Sequence, residues 1–160
     1  MLTHFTKKAR GFTLIEILVV IGIIAILATI VIIAINPAKQ FAQARNTTRE
    51  ANVNTVLNAI GQRIADNKGV FNGAFTVGGT TYTCPTLGAV KNIGTNSGLI
   101  DLSCLVPTYI PSVLPTDPSG GTAADTLYTV AQDSVGRVTV CAPDHAESSV
   151  PGATTFCLTR

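Results

Sequence analysis

The sequence predicts an α+β protein in which a long N-terminal α-helix packs on a small antiparallel β-sheet within a disulfide-bonded head. Three observations predict this class. An almost unbroken apolar run covers residues 12–35, a polar stretch with a helical apolar stripe continues to residue 69, and short β-branched runs between glycines and prolines fill residues 70–160. A chain of 160 residues is long enough for one domain with an accessory segment.

The apolar run predicts a membrane-spanning helix. Between Phe12 and Ile35 only Thr13, Glu16, Gly22 and Thr29 interrupt it. A helix of this length crosses the hydrocarbon core of a bilayer, which is roughly 30 Å thick. We therefore expect the first half of the long helix to lie in the membrane.

The residues before the run predict its orientation. Lys7, Lys8 and Arg10 precede it, so the lysine and arginine bias keeps residues 1–11 in the cytoplasm and exports the rest. An ordinary secretory signal has a shorter apolar region, of about 7–15 residues, followed by a cut site of small residues. Here the best such match, Ala9-Arg10-Gly11, lies before the run, so ordinary signal peptidase is not expected to cut the chain.

The second half of the helix is predicted to be amphipathic. Apolar residues recur there at three- and four-residue steps, which places them on one face: Val53, Val56, Leu57, Ile60 and Ile64. Pro37 has no amide hydrogen and crowds the preceding turn, so it predicts a kink or a melted stretch between the two halves.

The remaining residues predict a small antiparallel sheet. Residues 75–83 form two strand arms around Gly78-Gly79, which is a two-residue hairpin loop. Alternating runs at residues 127–131 and 137–142 flank another turn, and residues 154–159 form a last strand. The apolar face of this sheet is expected to cover the stripe of the helix.

Four cysteines predict disulfide bonds. Export favours oxidised thiols over metal or redox sites, and no C-x-x-C pair is present. Four cysteines allow three pairings. We favour Cys84 with Cys104 and Cys141 with Cys157, because each pair closes a short loop.

The stretch "KKARGFTLIEILVVIGIIAILATI", residues 7–30, resembles the N-terminus of type IV prepilins and pseudopilins. The resemblance implies that a membrane aspartyl peptidase, the prepilin peptidase, cuts between Gly11 and Phe12 and methylates the new amine of Phe12. Residues 1–11 are then a leader that is removed. Residues 12–69 would form the N-terminal helix, with residues 12–35 in the membrane or the filament core, and residues 70–160 the globular head.

The function implied by the resemblance is structural rather than enzymatic. A type IV pilin leaves the cytoplasmic membrane and polymerises with copies of itself into an extracellular filament, helped by an assembly ATPase and a membrane platform. A pseudopilin of a type II secretion or DNA-uptake system is the alternative, because residues 109–118, "YIPSVLPTDP", resemble a stretch of major pseudopilins. A single-pass, membrane-anchored exported protein is a more remote alternative.

Glu16 is the candidate assembly residue. A charged side chain at the centre of a bilayer costs roughly 2.5–3.5 kcal/mol, so a carboxylate there calls for a partner or a watery location. One interpretation is that Glu16 reaches the interface, since it lies one turn from Phe12. The resemblance implies the other interpretation, in which the amine of Phe12, in the same or a neighbouring chain, pairs with Glu16.

Other functions have weaker support in the sequence. Cys141 and His145, with Asp144 between them, suggest a cysteine nucleophile, but no recognisable motif positions a base and a nucleophile. Asp117 and Asp125 flank a glycine-containing loop where calcium could bind, but the oxygen ligands are sparse and a solvated turn is favoured. We therefore expect neither metal nor cofactor.

The overall charge excludes one further class of function. The formal net charge is only +2, which leaves no strongly basic face. We therefore expect no nucleic-acid partner.

Overall fold

The computed structural model describes residues 11–160, and Lys7, Lys8 and Arg10 of the predicted leader lie outside this range. The chain divides into two compact units, one ending at Gln40 and the other comprising Phe41–Arg160. The second unit thus begins within the predicted N-terminal helix, upstream of residue 70. The sheet-bearing head and most of the amphipathic half of the helix form one compact unit.

Two helices make up the N-terminal region. Helix α1 comprises Leu14–Ile35 and α2 comprises Pro37–Asp66. Asn36 separates them with a φ of 45°, in the left-handed region that often ends helices. Pro37 is the first residue of α2, a position where its missing amide hydrogen is not needed. The helix is therefore interrupted where the proline predicts a break.

The amphipathic stripe of α2 lies in the core of the second unit. Val53, Val56, Leu57 and Ile60 are buried, and Ile64 packs against the same cluster. These residues follow the three- and four-residue spacing that places side chains on one helix face. Their burial agrees with the role that the sequence predicts for them.

The strands form two antiparallel sheets rather than one. A hairpin comprises β1 (Gly73–Val77) and β2 (Thr80–Cys84), and the other sheet has the order β3-β4-β5-β6. Its strands are β3 (Lys91–Asn92), β4 (Thr129–Gln132), β5 (Val138–Ala142) and β6 (Phe156–Thr159). The predicted α+β class is confirmed, and the separation of the hairpin from the main sheet is a difference from the expected single sheet.

The β1–β2 hairpin joins the core through side chains instead of strand pairing. Gly78 and Gly79 at its turn both have positive φ, as a tight two-residue turn requires. Phe75 and Tyr82 pair across the two strands, with their ring centroids 5.6 Å apart, and pack against the buried cluster. The hairpin is thus attached to the core by aromatic packing.

The inner face of the main sheet covers the helix stripe. In β5, Val138, Val140 and Ala142 are buried, whereas the alternating Thr139 and Cys141 are only partly buried. This period of two is the pattern of a strand with one face on the core. The sheet and α2 therefore enclose one hydrophobic core.

Candidate functional site

The predicted cleavage bond lies in an irregular segment just before α1. Gly11 and Phe12 are exposed and belong to no helix or strand, and Phe12 is 84% exposed. An added Cβ at Gly11 would meet no atom within 4 Å. Among the described residues, nothing covers the backbone at this bond, so the geometry is compatible with access by a peptidase.

Glu16 belongs to a capping box at the start of α1. The backbone amide of Thr13 and its hydroxyl each donate to Oε2 of Glu16 at 2.8 Å. The backbone amide of Glu16 in turn donates to the hydroxyl oxygen of Thr13 at 3.3 Å. This reciprocal pair satisfies amide groups that a helix start leaves without partners. Glu16 therefore already has intrachain partners, and within residues 11–160 its Oε1 accepts no hydrogen bond.

Helix α1 is apolar on every side. None of its 22 residues is buried, and its large apolar side chains are about half exposed or more. By length and composition it can cross a membrane. A helix that is apolar all round needs an apolar environment. Such an environment is a bilayer or the apolar helices of other chains.

The second unit contains a buried polar cluster that the sequence analysis missed. Arg49 of α2 and Asp117 form two hydrogen bonds, Nε to Oδ2 at 2.6 Å and Nη2 to Oδ1 at 3.0 Å, and their side chains are 1% and 0% exposed. Arg49 also donates to Ser119 at 2.6 Å and to Asn46 at 2.8 Å. This bidentate pair, in which one guanidinium donates to both oxygens of one carboxylate, holds the loop that carries Asp117 against α2.

The charges of this pair stabilise each other. The Asp117 carboxylate raises the pKa of Arg49. Burial by itself raises the pKa of Asp117, but hydrogen bonds from Arg49 and Ser119 outweigh it and the pKa is lowered. Both side chains therefore stay ionised in the interior.

Glu147 attaches a second loop, the one after β5, to the same helix. It accepts hydrogen bonds from Arg45 and from Arg49, the latter at 2.5 Å. The bonds from Arg45 and, after them, those from Arg49 lower the pKa of Glu147 to about 2. His145 of the same loop lies 3.1 Å from Oε1 of Glu50 on α2. We call Arg45, Arg49, Asp117 and Glu147 the arginine clamp.

The two disulfides are the pairs that the sequence favours. Cys84 bonds to Cys104, and Cys141 bonds to Cys157. The first lies in the hydrophobic core, whereas the second joins neighbouring strands β5 and β6. Because the sulfur of Cys141 is in a disulfide, the alternative of a Cys141–His145 nucleophile has no free thiol in this structure.

The two candidate calcium ligands, Asp117 and Asp125, accept hydrogen bonds from other groups of the protein. Both carboxylate oxygens of Asp117 accept hydrogen bonds from Arg49. Asp125 accepts from the backbone amide of Leu127 at 3.0 Å and lies 3.4 Å from the side-chain amide of Asn92. Within residues 11–160 no group of three or more histidine, cysteine, aspartate or glutamate side chains is arranged to hold a metal ion.

Sequence comparison identifies the N-terminal segment. Residues 6–32 match the family model described as the prokaryotic N-terminal methylation motif. No curated protein and no solved structure matches the chain. The match includes Gly11, Phe12 and Glu16 and most of α1. The chain therefore carries, at residues 6–32, the signature of type IV pilins and pseudopilins.

Proposed function

We propose that this chain is a type IV pilin, a structural subunit that is processed at its N-terminus and polymerises into an extracellular filament. The observation that carries the proposal is α1, which lies mostly within the matched methylation motif and exposes apolar side chains on all sides. Such a helix is stable in a bilayer before assembly and among copies of itself afterwards. Copies of the same chain are therefore the main partner.

Processing precedes assembly in this proposal. The prepilin peptidase cuts between Gly11 and Phe12 and methylates the amine of Phe12. The precursor lies in the cytoplasmic membrane with residues 1–11 inside, and an assembly ATPase and membrane platform move the mature subunit into the filament. The exposed, irregular segment around Gly11 supports cleavage at this bond.

Glu16 directs the register of neighbouring subunits. Its Oε2 already accepts from Thr13, while Oε1 remains available for another donor. Cleavage creates a charged amine at Phe12, four residues before Glu16 in the chain. In a packed filament core an unpaired carboxylate is strongly destabilising, so pairing Glu16 with a neighbour's amine favours one axial position.

In the assembled subunit, residues 12–69 supply the helical core and residues 70–160 supply the surface. The head uses the arginine clamp and the two disulfides, without a metal ion or cofactor. The support for this is that both carboxylate oxygens of Asp117, one of the two candidate calcium ligands, accept hydrogen bonds from Arg49. Removal of calcium with a chelator should then leave the thermal unfolding of the head unchanged.

A Glu16→Leu substitution tests the assembly role. We expect the variant to be cut after Gly11 and to yield few filaments, because the neighbour's amine loses its partner. Thr29→Leu is the matched control, since Thr29 also interrupts the apolar surface of α1 but its hydroxyl donates within its own helix, to the carbonyl of Ala25 at 2.9 Å. Normal filament yield from Glu16→Leu would contradict the proposed role of Glu16.

Two measurements separate pilin from the other functions. Mass analysis of the mature N-terminus should find methylated Phe12, whereas an intact Met1 would support the single-pass membrane protein. Filaments sheared from the cell surface and imaged should contain this chain as their main subunit. If the chain is processed but absent from surface filaments, the pseudopilin function, suggested by residues 109–118, replaces the pilin function.

A further inference from the structure

The disulfide between Cys141 and Cys157 lies on the outer face of the main sheet. Val138 and Arg160 exchange both main-chain hydrogen bonds, at 2.7 and 2.9 Å. In an antiparallel pair such positions alternate with pairs that exchange none, so Cys141 and Cys157 form a non-hydrogen-bonded pair. Their Cα atoms are 4.1 Å apart, as expected for this position. In β5 the two residues that flank Cys141 are buried, and in β6 Cys157 is exposed, so the period of two places both cysteine side chains on the face opposite the core.

The two disulfides differ sharply in exposure. Cys157 is exposed and Cys141 is partly exposed, and they join β6, the last strand of the sheet, to β5. Cys84 and Cys104 are only 3% and 4% exposed and belong to the hydrophobic core. Exchange requires that a thiolate reach one of the two sulfurs. In the folded molecule a dissolved thiol can approach Cys157, while the core excludes it from Cys84 and Cys104.

Strand β6 has attachments that do not depend on its disulfide. It keeps its antiparallel pairing with β5, the hydroxyls of Thr139 and Thr159 lie 2.8 Å apart, and Arg160 donates to Asn58 of α2. The loop between the two strands is separately held by Glu147 of the arginine clamp. Opening this disulfide therefore leaves the strand and the loop anchored.

We propose that Cys141–Cys157 is a thiol-exchange site for low-molecular-weight thiols. The thiolate attacks Sγ of Cys157, the new sulfur–sulfur bond forms, the old one breaks, and Cys141 leaves as a thiolate that takes up a proton from water. The product is a mixed disulfide at Cys157. The thiol of Cys141 reverses the step by attacking this mixed disulfide and releasing the small thiol. The step involves only the two cysteines of one chain and a dissolved thiol.

Reduced glutathione is a suitable probe. The full chain, purified in detergent, is incubated with glutathione under native conditions, remaining thiols are trapped with iodoacetamide at intervals, and the modified peptides are mapped by mass spectrometry. We expect glutathione on Cys157 and carbamidomethyl on Cys141. This modification should proceed at least about ten times faster than any at Cys84 or Cys104, because exchange depends on access. The far-ultraviolet circular dichroism should stay unchanged during the fast step.

Two comparisons make the result decisive. The double variant Cys141→Ser/Cys157→Ser should lose the fast modification and keep the slow one. Equal rates at both disulfides, or faster reaction of Cys84 and Cys104, would overturn the proposal even if the double variant does not fold. Glutathione found on Cys141 instead of Cys157 would overturn the assignment of the attacked sulfur.

Discussion

Helices α1 and α2 follow each other along the chain, yet they bury very different shares of their own side chains. Helix α1 is almost wholly apolar and has no buried residue, whereas α2 is mostly polar and buries nine. The apolar surface of α1 is left for an environment outside this chain. Helix α2 instead contacts the rest of the second unit through a narrow apolar stripe and the arginine clamp. The more hydrophobic of the two helices is thus the one that buries fewer of its side chains within the chain.

The largest loss of stability is expected from a substitution of Arg49, which lies on α2. Replacing it in Arg49→Met leaves the buried carboxylate of Asp117 without its partner, so we expect the free energy of unfolding of the head to fall by about 3–5 kcal/mol. Urea unfolding followed by circular dichroism measures this. The control Arg137→Met removes an exposed pair with Asp133 and should cause no measurable change. Similar losses of unfolding free energy in Arg49→Met and Arg137→Met would show that the buried ion pair stabilises the head no more than an exposed one does.

A matched pair of isoleucines compares the apolar surfaces directly. Ile60 of α2 is 0% exposed, and Ile24 of α1 is 58% exposed. Ile60→Ala should destabilise the head by about 2–5 kcal/mol because it removes packed side-chain atoms and leaves a cavity. Ile24→Ala should leave head unfolding unchanged in the same urea experiment. A large effect of Ile24→Ala would mean that α1 contributes to the stability of the head.

Acid should weaken the clamp gradually. The folded-state pKa of Glu147, about 2, lies below its ordinary value of 4.5, so its stabilisation is fully present above pH 4.5 and is lost as the pH falls towards 2. The effect should be smaller than that of Arg49→Met, because 13% of the Glu147 side chain is exposed and solvent screens its charge.

Urea unfolding at several pH values between 5 and 2 checks this dependence. In Glu147→Gln the fall in stability across this range should be shallower, since one of the titrating groups is gone. An equally steep fall in the variant would assign the acid sensitivity to other carboxylates, such as Asp117, whose pKa is also lowered.

The smallest effect is expected at the start of α1. Thr13→Ala removes the hydroxyl that accepts from the amide of Glu16, which should destabilise the first helical turn by about 1 kcal/mol. Hydrogen exchange of the Glu16 amide in micelles should become roughly fivefold faster. Thr13→Ser keeps a hydroxyl and should exchange like the natural chain. An unchanged rate in Thr13→Ala would mean that the capping box does not stabilise this turn.

Much of the fold could be predicted from local patterns. The apolar length of α1, the three- and four-residue spacing on α2 and the Gly78-Gly79 hairpin each depend on residues close in sequence. The disulfide pairs span longer separations, of 20 and 16 positions, yet the short loops that they close favour the same pairs that the structure contains. All of these features could be predicted because the residues that form them lie close in the sequence.

The arginine clamp could not be predicted in this way. Arg49 and Asp117 are 68 positions apart, and Glu147 lies 98 positions from Arg49. In the sequence Arg49 is one polar residue among several on α2, and the pattern around Asp117 indicates only a solvated turn or a calcium-binding loop. Only the folded chain shows that the two meet.

The sequence by itself determined the methylation motif at residues 6–32, the apolar helix and the α+β class, because charge, apolar length and periodicity act over a few neighbouring residues. The tertiary structure alone decided that the strands divide into two sheets, that Arg49 is buried, and that one disulfide is enclosed while the other is exposed. The physical reason is that burial and pairing depend on which distant segments fold against each other. A side chain loses its water only where the rest of the chain covers it.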